Sequence, residues 1–372
     1  MTNNPIYFDN SATTKVANEV AEIMLRYMRE KYHNPSSIYS DDIRKDISDA
    51  SNTIRLFTNA KSVYYTSGAT ESNNWVINNF RNGTIICSAI EHPSIINTLK
   101  YYHENYGTQY KIIPVDINGN INIAELEKYL SEGADLCSIM AVNNETGVIN
   151  DVNYIYDICH KYNCKFHTDM TQAVGHIDIK DTHYDYASIS SHKFMGDKGI
   201  GALLCNADIS PFIIGGGQQN GMRGGTEPVA SIMGMAEAMK RYAYSYTYKT
   251  KLIELRDYFE DKLRKTFGEN VWIFNNPNRV PNISTISFNK VQGESLVLCL
   301  STKNIFISTG SACHGNKNSG EPILKIMGLS DNIVNGAIRI SFNIFNTKDE
   351  IDILIDALNH FYPILRGKDI EQ

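Results

Sequence analysis

Helical and strand-like hydrophobic patterns alternate along the first part of the chain. Between Asp41 and Phe57, apolar residues recur every three or four positions, which indicates one buried face of a helix. Other short segments carry apolar residues at successive positions, as strands covered on both faces of a sheet do. The predicted strands are Ser62–Tyr65, Thr84–Ser88, Tyr110–Pro114, Leu136–Val142, Cys164–Thr168, Tyr186–Ser190 and Gly201–Cys205, and the predicted helices between them are Asn73–Phe80, Ser94–Glu104, Ala124–Ser131 and Val152–Tyr162. This alternation predicts an α/β fold with a mainly parallel sheet.

The pattern changes beyond about Leu255. A glycine-rich stretch at Gly215–Gly225 precedes a long helical segment that begins at Pro228. Further predicted strands are Asn282–Phe288, Ile305–Ser308 and Ala337–Phe342, and further predicted helices are Glu294–Leu300, Pro322–Met327 and Lys348–Tyr362. We therefore expect a large domain over residues 15–255 and a smaller α+β domain over residues 256–372, which would pack with residues 1–14.

Composition narrows the class of protein. The chain has 372 residues, of which 42% are hydrophobic and 20% charged, as in an ordinary globular protein, and its net charge of −6 argues against direct binding of nucleic acid. The sequence contains no signal-peptide pattern and no apolar run long enough to predict a membrane span. The seven cysteines lack paired spacing, so no metal site or disulfide framework is predicted. A cytoplasmic protein is expected.

The segment Thr66–Asn74 is a candidate phosphate site. Small and hydroxyl residues, Ser67 to Thr70, lie between a predicted strand and a predicted helix. Backbone N–H groups at a helix N-terminus bind phosphate well, because the helix dipole adds partial positive charge there. The alternative is a helix cap, since Ser67 and Glu71 come near the capping-box pattern.

Two further strand ends carry side chains suited to one cofactor. Asp169 follows a predicted strand, where a carboxylate could pair with a pyridinium nitrogen, although a helix cap is the commoner role of such an aspartate. Lys193 follows His192 at the end of the next predicted strand, where it could bond to an aldehyde or could simply be a solvated cation. Together with the phosphate site, Lys193 suggests pyridoxal phosphate held as a Schiff base.

Three other residues are candidates for chemistry. His92 follows the predicted strand Thr84–Ser88 and could stack on a flat cofactor or shuttle protons, or it could be a polar surface residue. Cys313 lies in a glycine-flanked segment without helical or strand periodicity. Such a loop position suits a reactive thiol, whereas the alternative is that Cys313 is a small buried hydrophobic residue. Arg339 lies among apolar residues of a predicted strand, so it requires a carboxylate partner or a ligand.

In chain order, these stretches resemble the motifs of cysteine desulfurases in the class V aminotransferase family. The matching stretches are Tyr7–Thr14, Asn34–Ser37, Thr66–Asn74, Glu91–His92, Val142–Gly147, His167–Gln172, Ser190–Lys193, Gly215–Gln218, Arg223–Thr226, Ser311–Cys313 and Ile338–Ser341. The resemblance covers nearly the whole chain. It implies a fold type I, pyridoxal-5'-phosphate-dependent transferase.

The resemblance also implies residue roles. Lys193 would be the Schiff-base lysine, and Asp169 would pair with the pyridine nitrogen. His92 would be catalytic and stack on the ring. Cys313 would accept the substrate sulfur, and Arg339 would bind the substrate carboxylate. The remaining cofactor contacts implied are Gln172 near the phenolic oxygen, Asn144, and a phosphate group of Ala69, Thr70, Ser190, His192 and, from the other subunit of a homodimer, Thr226.

Some positions depart from the family pattern. Tyr39 stands where many relatives have His, Asp197 replaces a usual Pro, and Ile344 occupies a position that is Arg in some relatives. The chain also ends soon after the helix predicted at Lys348–Tyr362, without the longer tail that some relatives use to dock an iron–sulfur scaffold. This departure therefore concerns docking to such a scaffold and not the chemistry.

The resemblance implies conversion of L-cysteine to L-alanine, with the sulfur held on Cys313 as a persulfide. A sulfur-acceptor protein, such as an iron–sulfur scaffold or a tRNA-modifying enzyme, would take it from there. The first alternative is a selenocysteine lyase or another β-eliminating enzyme of the same fold, which would tolerate loss of Cys313. The second is a catalytically silent sulfur carrier or assembly partner, and the presence of Lys193, Asp169 and Cys313 argues against it.

Overall fold

A computed structural model of the protein describes residues 5–242, 246–309 and 321–367. Its strands are β1 (Ile6–Tyr7), β2 (Ser62–Thr66), β3 (Thr84–Ser88), β4 (Gln109–Ile113), β5 (Leu136–Ser138), β6 (Lys165–Asp169), β7 (Tyr186–Ser190), β8 (Gly201–Cys205), β9 (Val271–Ile273), β10 (Ile283–Phe288), β11 (Ile305–Phe306) and β12 (Ala337–Ser341). Its helices are α1 (Asn18–Arg29), α2 (Asp41–Thr58), α3 (Ala69–Asn79), α4 (Pro93–Tyr106), α5 (Ile123–Ser131), α6 (Val152–Lys161), α7 (Val229–Tyr242), α8 (Tyr246–Phe267), α9 (Gly293–Ser301), α10 (Ile323–Ile326), α11 (Asp331–Asn335) and α12 (Lys348–Arg366).

The main sheet has seven strands in the order β2-β8-β7-β6-β5-β3-β4. Strands β4, β3, β5, β6 and β7 pair in parallel, whereas β8 runs antiparallel to both of its neighbours, β7 and β2. The predicted α/β fold with a mainly parallel sheet is therefore confirmed. All strands of this sheet except β8 end at the same edge, so the residues that follow them are brought together.

The sheet is buried on both faces, which explains the unbroken apolar runs of its strands. Adjacent residues of a strand point to opposite faces. Ile85 and Ile86 accordingly belong to different cores, and so do Leu203 and Leu204. All four side chains are fully buried.

A separate core lies in the C-terminal part of the chain. A three-stranded antiparallel sheet, in the order β12-β10-β9, packs there with α8, α9 and α12. The N-terminal segment joins this part, because β1 pairs in parallel with β11 and Phe8 is buried in the same core. The division at residues 255 and 256 stays a prediction; that position lies within α8, whose Leu252 and Leu255 both pack in the C-terminal core.

Most element bounds were predicted within one or two residues, but three were not. The helix predicted to end at Tyr362 continues four residues further, to Arg366. The predicted helix at Asn73 begins four residues earlier, at Ala69, so Ala69 and Thr70 lie in its first turn. The strand predicted to reach Val142 ends at Ser138, because the apolar residues that follow are buried in irregular backbone. The helix α1 and the short elements β1, β9 and α11 were not predicted. Within the part of the chain that the structure describes, no helix combines the length and apolar character needed to span a bilayer.

Candidate active site

A cleft of about 750 Å³ lies at the carboxyl-terminal edge of the main sheet. Ligands of α/β proteins bind at this edge, where loops from several parallel strands converge. Residues that follow β2, β3, β5, β6 and β7 line the cleft, together with Ser11–Thr13 from the N-terminal segment. The predicted site residues among its lining are Ala69, Thr70, His92, Asn144, Asp169, Gln172, Ser190, His192, Lys193 and Arg339.

One end of the cleft is the N-terminus of α3. Gly68 precedes the helix with φ 152° and ψ 176°, a conformation that is essentially restricted to glycine. No side chain caps this helix, so the capping-box interpretation of Ser67 is wrong. Glu71 instead accepts a hydrogen bond from the Ser67 N–H and forms an ion pair with Arg223. The free N–H groups of the first turn thus face a cleft also lined by the Ser190 and His192 side chains, as a phosphate site requires.

Lys193 ends a 3₁₀ turn, Ser191–Lys193, that follows β7 directly. Its Nζ donates hydrogen bonds to the carbonyl oxygens of Ser11 (2.6 Å) and Ala12 (2.9 Å). Burial and the nearby Arg339 charge lower the pKa of Lys193 to about 8, against the opposing effect of Asp169 and Asp9. A lysine with this pKa is partly neutral near physiological pH, so it can act as a nucleophile or base.

Asp169 is the last residue of β6 and is almost completely buried. One carboxylate oxygen accepts a hydrogen bond from Asn73 Nδ2 (2.8 Å), and the other accepts one from the Thr171 N–H (2.9 Å). This carboxylate is therefore fixed in the cleft wall by two donors. It caps no helix, which favours the cofactor-binding interpretation over the alternative.

His92 lies at the N-cap of α4, with its ring exposed to the cleft. Its Nδ1 accepts a hydrogen bond from the Ser94 N–H at 3.1 Å and lies 2.8 Å from Ser94 Oγ. Desolvation by the surrounding protein lowers the pKa of His92; Lys193 adds to this effect and Asp169 opposes it. The ring is thus neutral near physiological pH, and its Nδ1 edge is held by Ser94.

Arg339, in β12, is buried and has the carboxylate partner that its apolar surroundings require. Its Nη2 donates to Asp9 Oδ1 (2.7 Å), and its Nη1 donates to the Asn144 carbonyl oxygen (2.8 Å). Its Nε has no partner. The guanidinium lines the cleft, so its remaining N–H groups are available to a ligand there.

The other predicted residues divide into three cases. Gln172 is buried and donates from Nε2 to the Ser11 carbonyl oxygen at 2.8 Å, while His192 Nδ1 lies 3.1 Å from Thr13 Oγ1. Thr226 is exposed and is not part of the cleft lining. Cys313 lies outside the described residues.

Several cleft residues were not predicted. Ser11, Ala12 and Thr13 line the cleft, although their motif was part of the family resemblance and could have indicated them. The same applies to Glu145, whose neighbour Asn144 was predicted. Burial raises the pKa of Glu145 to about 7, against the effect of Arg339. Thr171 also lines the cleft and lies within the matching stretch His167–Gln172, whereas Lys198 lines the cleft and carries no sequence signal.

The departures from the family pattern occupy different places. Tyr39 is exposed. Asp197 accepts a hydrogen bond from Ser231 Oγ (3.1 Å), which links the loop after Lys193 to α7. Ile344 packs between the two large cores, and its carbonyl oxygen accepts a hydrogen bond from Lys251.

This architecture defines a class of protein: a fold type I enzyme with a lysine, a buried carboxylate and a helix N-terminus around one cleft. The family model for "Aminotransferase class-V" matches residues 6–354. The cysteine desulfurase IscS of Methanosarcina thermophila is 36% identical, over 98% of this chain and 94% of its own length. The IscS of Dictyoglomus turgidum is also 36% identical, over 97% and 95%.

Solved structures agree with these relatives. A NifS-like protein superimposes with a TM-score of 0.90 at 33% identity, covering 97% of this chain and 100% of that one. The protein SspA, solved in complex with cysteine, superimposes with a TM-score of 0.80 at 28% identity, covering 92% and 100%. The chain therefore belongs to the class V aminotransferase family and, within it, to the cysteine desulfurases, which are pyridoxal-phosphate-dependent enzymes. A selenocysteine lyase is not favoured, and the matched relatives are named as enzymes.

The cleft fits pyridoxal phosphate. The N-terminus of α3 without a side-chain cap suits the phosphate, and Asp169 faces the same cleft as Lys193. Two buried polar atoms of cleft residues, Asn144 Oδ1 and Thr171 Oγ1, have no partner within the protein. Buried polar atoms are nearly always hydrogen-bonded, so these two are suited to contacts with a bound group.

Proposed function

We propose that this cysteine desulfurase converts L-cysteine to L-alanine and transfers the sulfur to Cys313 as a persulfide. The proposal rests on one observation: the side chains of Lys193, Asp169 and Arg339 line the same cleft. These three side chains supply an amine of lowered pKa, a fixed carboxylate and a fixed guanidinium. SspA, a protein of similar structure, was solved with cysteine.

Bound pyridoxal phosphate would act as an electron sink for the substrate Cα. Asp169 would hold the pyridine nitrogen, and the first turn of α3 with Ala69, Thr70, Ser190 and His192 would hold the phosphate. Lys193 Nζ, with its pKa near 8, would take the proton from Cα and return protons later in the reaction. His92 would pack on the cofactor ring, with Gln172 and Asn144 as further contacts.

Arg339 would orient the substrate. Its guanidinium is held from two sides by Asp9 and the Asn144 carbonyl, so little side-chain entropy is lost when it binds a carboxylate. The unpartnered Nε and the remaining Nη hydrogens would donate to that carboxylate. This contact would select an α-amino acid.

The sulfur transfer balances without an external oxidant. The Cys313 thiolate would attack the substrate sulfur, forming a sulfur–sulfur bond as the carbon–sulfur bond breaks. The electron pair of the broken bond would stay on the substrate carbon, which takes up a proton to become the methyl group of alanine. The persulfide would then be passed to a sulfur-acceptor protein, an iron–sulfur scaffold or a tRNA-modifying enzyme.

The active form is proposed to be a homodimer in which Thr226 of one subunit contacts the phosphate of the other. Two observations support this. Thr226 is exposed and lies outside the lining of its own subunit's cleft. A second surface cavity of about 670 Å³ is lined by residues 217–220 and by Glu227, which flank Thr226 in the chain, and it offers a surface suited to a second copy.

The test compares alanine formation from L-cysteine and from L-selenocysteine. Cys313→Ser should lower the rate on cysteine by orders of magnitude, because no thiolate is left to take the sulfur, and should leave cofactor binding intact. Cys299→Ser, which alters a partly exposed free cysteine, is the matched control. Near-normal turnover of cysteine by Cys313→Ser would refute the role of Cys313, and turnover of selenocysteine without detectable turnover of cysteine by the unaltered enzyme would favour the lyase alternative.

A further inference from the structure

A hydrogen-bonded chain of four side chains joins Asp169 to His92. Asn73 Nδ2 donates to Asp169 Oδ2 and to Ser94 Oγ, each at 2.8 Å, and Ser94 Oγ lies 2.8 Å from His92 Nδ1. Asn73 is fully buried, and Asp169 and Ser94 are nearly so. The two linking residues come from different helices, α3 and α4, and neither was predicted as a site residue.

The direction of each hydrogen bond follows from the groups involved. A carboxylate only accepts, so the Asn73 amide must turn Nδ2 towards Asp169. Asn73 Oδ1 is left buried without a partner, and this shows that contact with Asp169 dictates the orientation. Because Ser94 Oγ accepts from Asn73, its own proton is free to be donated to His92 Nδ1.

The backbone imposes the same requirement on His92. The Ser94 N–H, one of the N–H groups at the start of α4, also donates to His92 Nδ1 at 3.1 Å, so the imidazole caps this helix. Nδ1 must therefore carry a lone pair, and the proton of the neutral ring must be on Nε2. A proton on Nδ1 would oppose two donors and the positive end of the helix dipole. The lowered pKa of His92 is consistent with this arrangement.

We propose that Asn73 and Ser94 are positioning residues that hold His92 as the Nε2–H tautomer and tie its orientation to Asp169. His92 then presents a hydrogen-bond donor to the cleft and cannot act as a base through Nδ1. The inference rests on the proposed function where it concerns the reaction. Any proton that His92 supplies to substrate or cofactor comes from Nε2, which Asn73 and Ser94 never touch.

The direct test is nitrogen NMR of the holoenzyme labelled with ¹⁵N-histidine. The His92 signals, assigned by their loss in His92→Asn, should show an unprotonated Nδ1 and a protonated Nε2. A protonated Nδ1 or a mixture of tautomers in the unaltered enzyme would overturn the proposal. This readout does not depend on activity, so it stands even if the enzyme fails to make alanine from cysteine.

Variants test the role of the linking residues. Ser94→Ala removes the hydroxyl donor to Nδ1 and keeps only the backbone N–H, so it should give mixed His92 tautomers and lower kcat by roughly tenfold to a hundredfold, a part of the usual general acid–base contribution, with a smaller change in KM. Asn73→Ala keeps both donors to Nδ1 but no longer orients the Ser94 hydroxyl, so it should shift the tautomers and kcat less. Asn97→Ala, at an exposed position of α4, is the control. A fall in kcat for both Asn73→Ala and Ser94→Ala with unchanged His92 signals would show a merely structural role and refute the proposal.

Discussion

Asp9 and Arg339 are 330 residues apart in the chain, yet their side chains are 2.7 Å apart, and the contact holds Arg339 in the wall of the cleft. The contact depends on the N-terminal segment, which reaches the C-terminal sheet through an isolated parallel bridge between Asp9 and Ser341. The backbone carbonyl oxygens of Ser11 and Ala12, two and three residues further along that segment, accept the hydrogen bonds of Lys193. The first residues of the chain thus connect the proposed substrate-binding arginine with the proposed cofactor-binding lysine.

The first prediction concerns this ion pair. Arg339→Ala should weaken cysteine binding by roughly ten- to a hundredfold, because a charge-assisted contact is worth about 1.5–3 kcal/mol. Arg339→Lys should restore only part of the affinity, since a point charge lacks the planar fork. Asp9→Asn should have a smaller effect, because the Asn144 carbonyl still holds the guanidinium. Substrate titrations of each holoenzyme measure the affinity, and normal cysteine binding by Arg339→Ala would reduce Arg339 to a structural ion-pair residue.

The Asp9–Arg339 contact also shows what the sequence could and could not predict. The hydrophobic periodicity predicted the bounds of α2 within one residue, because apolar residues recur regularly on its buried face. The same periodicity did not predict the start of α3, where polar residues fill the first turn and no side-chain cap marks the boundary. Lys193 and Asp169 could be proposed because each follows an apolar strand. Asp9 could not, because its role depends on how β1 pairs with β11, and local pattern carries no information on that pairing.

The second prediction concerns the lowered pKa of Lys193. Only the neutral amine attacks an aldehyde, so the rate at which apoenzyme takes up pyridoxal phosphate should rise with pH around a midpoint near 8, well below the 10.5 of an ordinary lysine. Arg339→Ala removes a positive charge that lowers this pKa, so it should move the midpoint to higher pH. Stopped-flow absorbance of the lysine-bound cofactor measures the rate.

Borohydride reduction followed by peptide mapping provides the control for that assignment. The cofactor should be fixed on Lys193, and Lys198, which also lines the cleft, should stay unlabelled. Label on Lys198, or a midpoint close to 10.5, would contradict the proposed role of Lys193.

The third prediction tests whether each active site is built from one subunit or from both subunits of the dimer. If Thr226 serves the partner's cleft, a mixed dimer of Lys193→Ala and Thr226→Asp subunits contains one intact site and one doubly altered site. Co-expression should then restore up to about half of the activity per mixed dimer, although each variant alone is nearly inactive. Thr226→Ser, which keeps the hydroxyl, should be active alone. If Thr226 served its own subunit, both sites of the mixed dimer would be damaged and no activity would return.

The last prediction concerns Glu91, a buried carboxyl that accepts hydrogen bonds from Ser88 Oγ and the Met140 N–H. Burial raises the pKa of Glu91 from 4.5 to about 8, and Asp169 adds to this effect. Between these pH values the folded protein keeps a proton that the unfolded chain has lost, so stability falls as pH rises, by at most about 1.4 kcal/mol per pH unit. Glu91→Gln removes that titration, so its unfolding free energy relative to the unaltered protein should increase from pH 4.5 to pH 8. Urea unfolding at several pH values, with the exposed Glu104→Gln as control, measures the difference, and a constant difference across this window would show that Glu91 is already ionised in the folded protein.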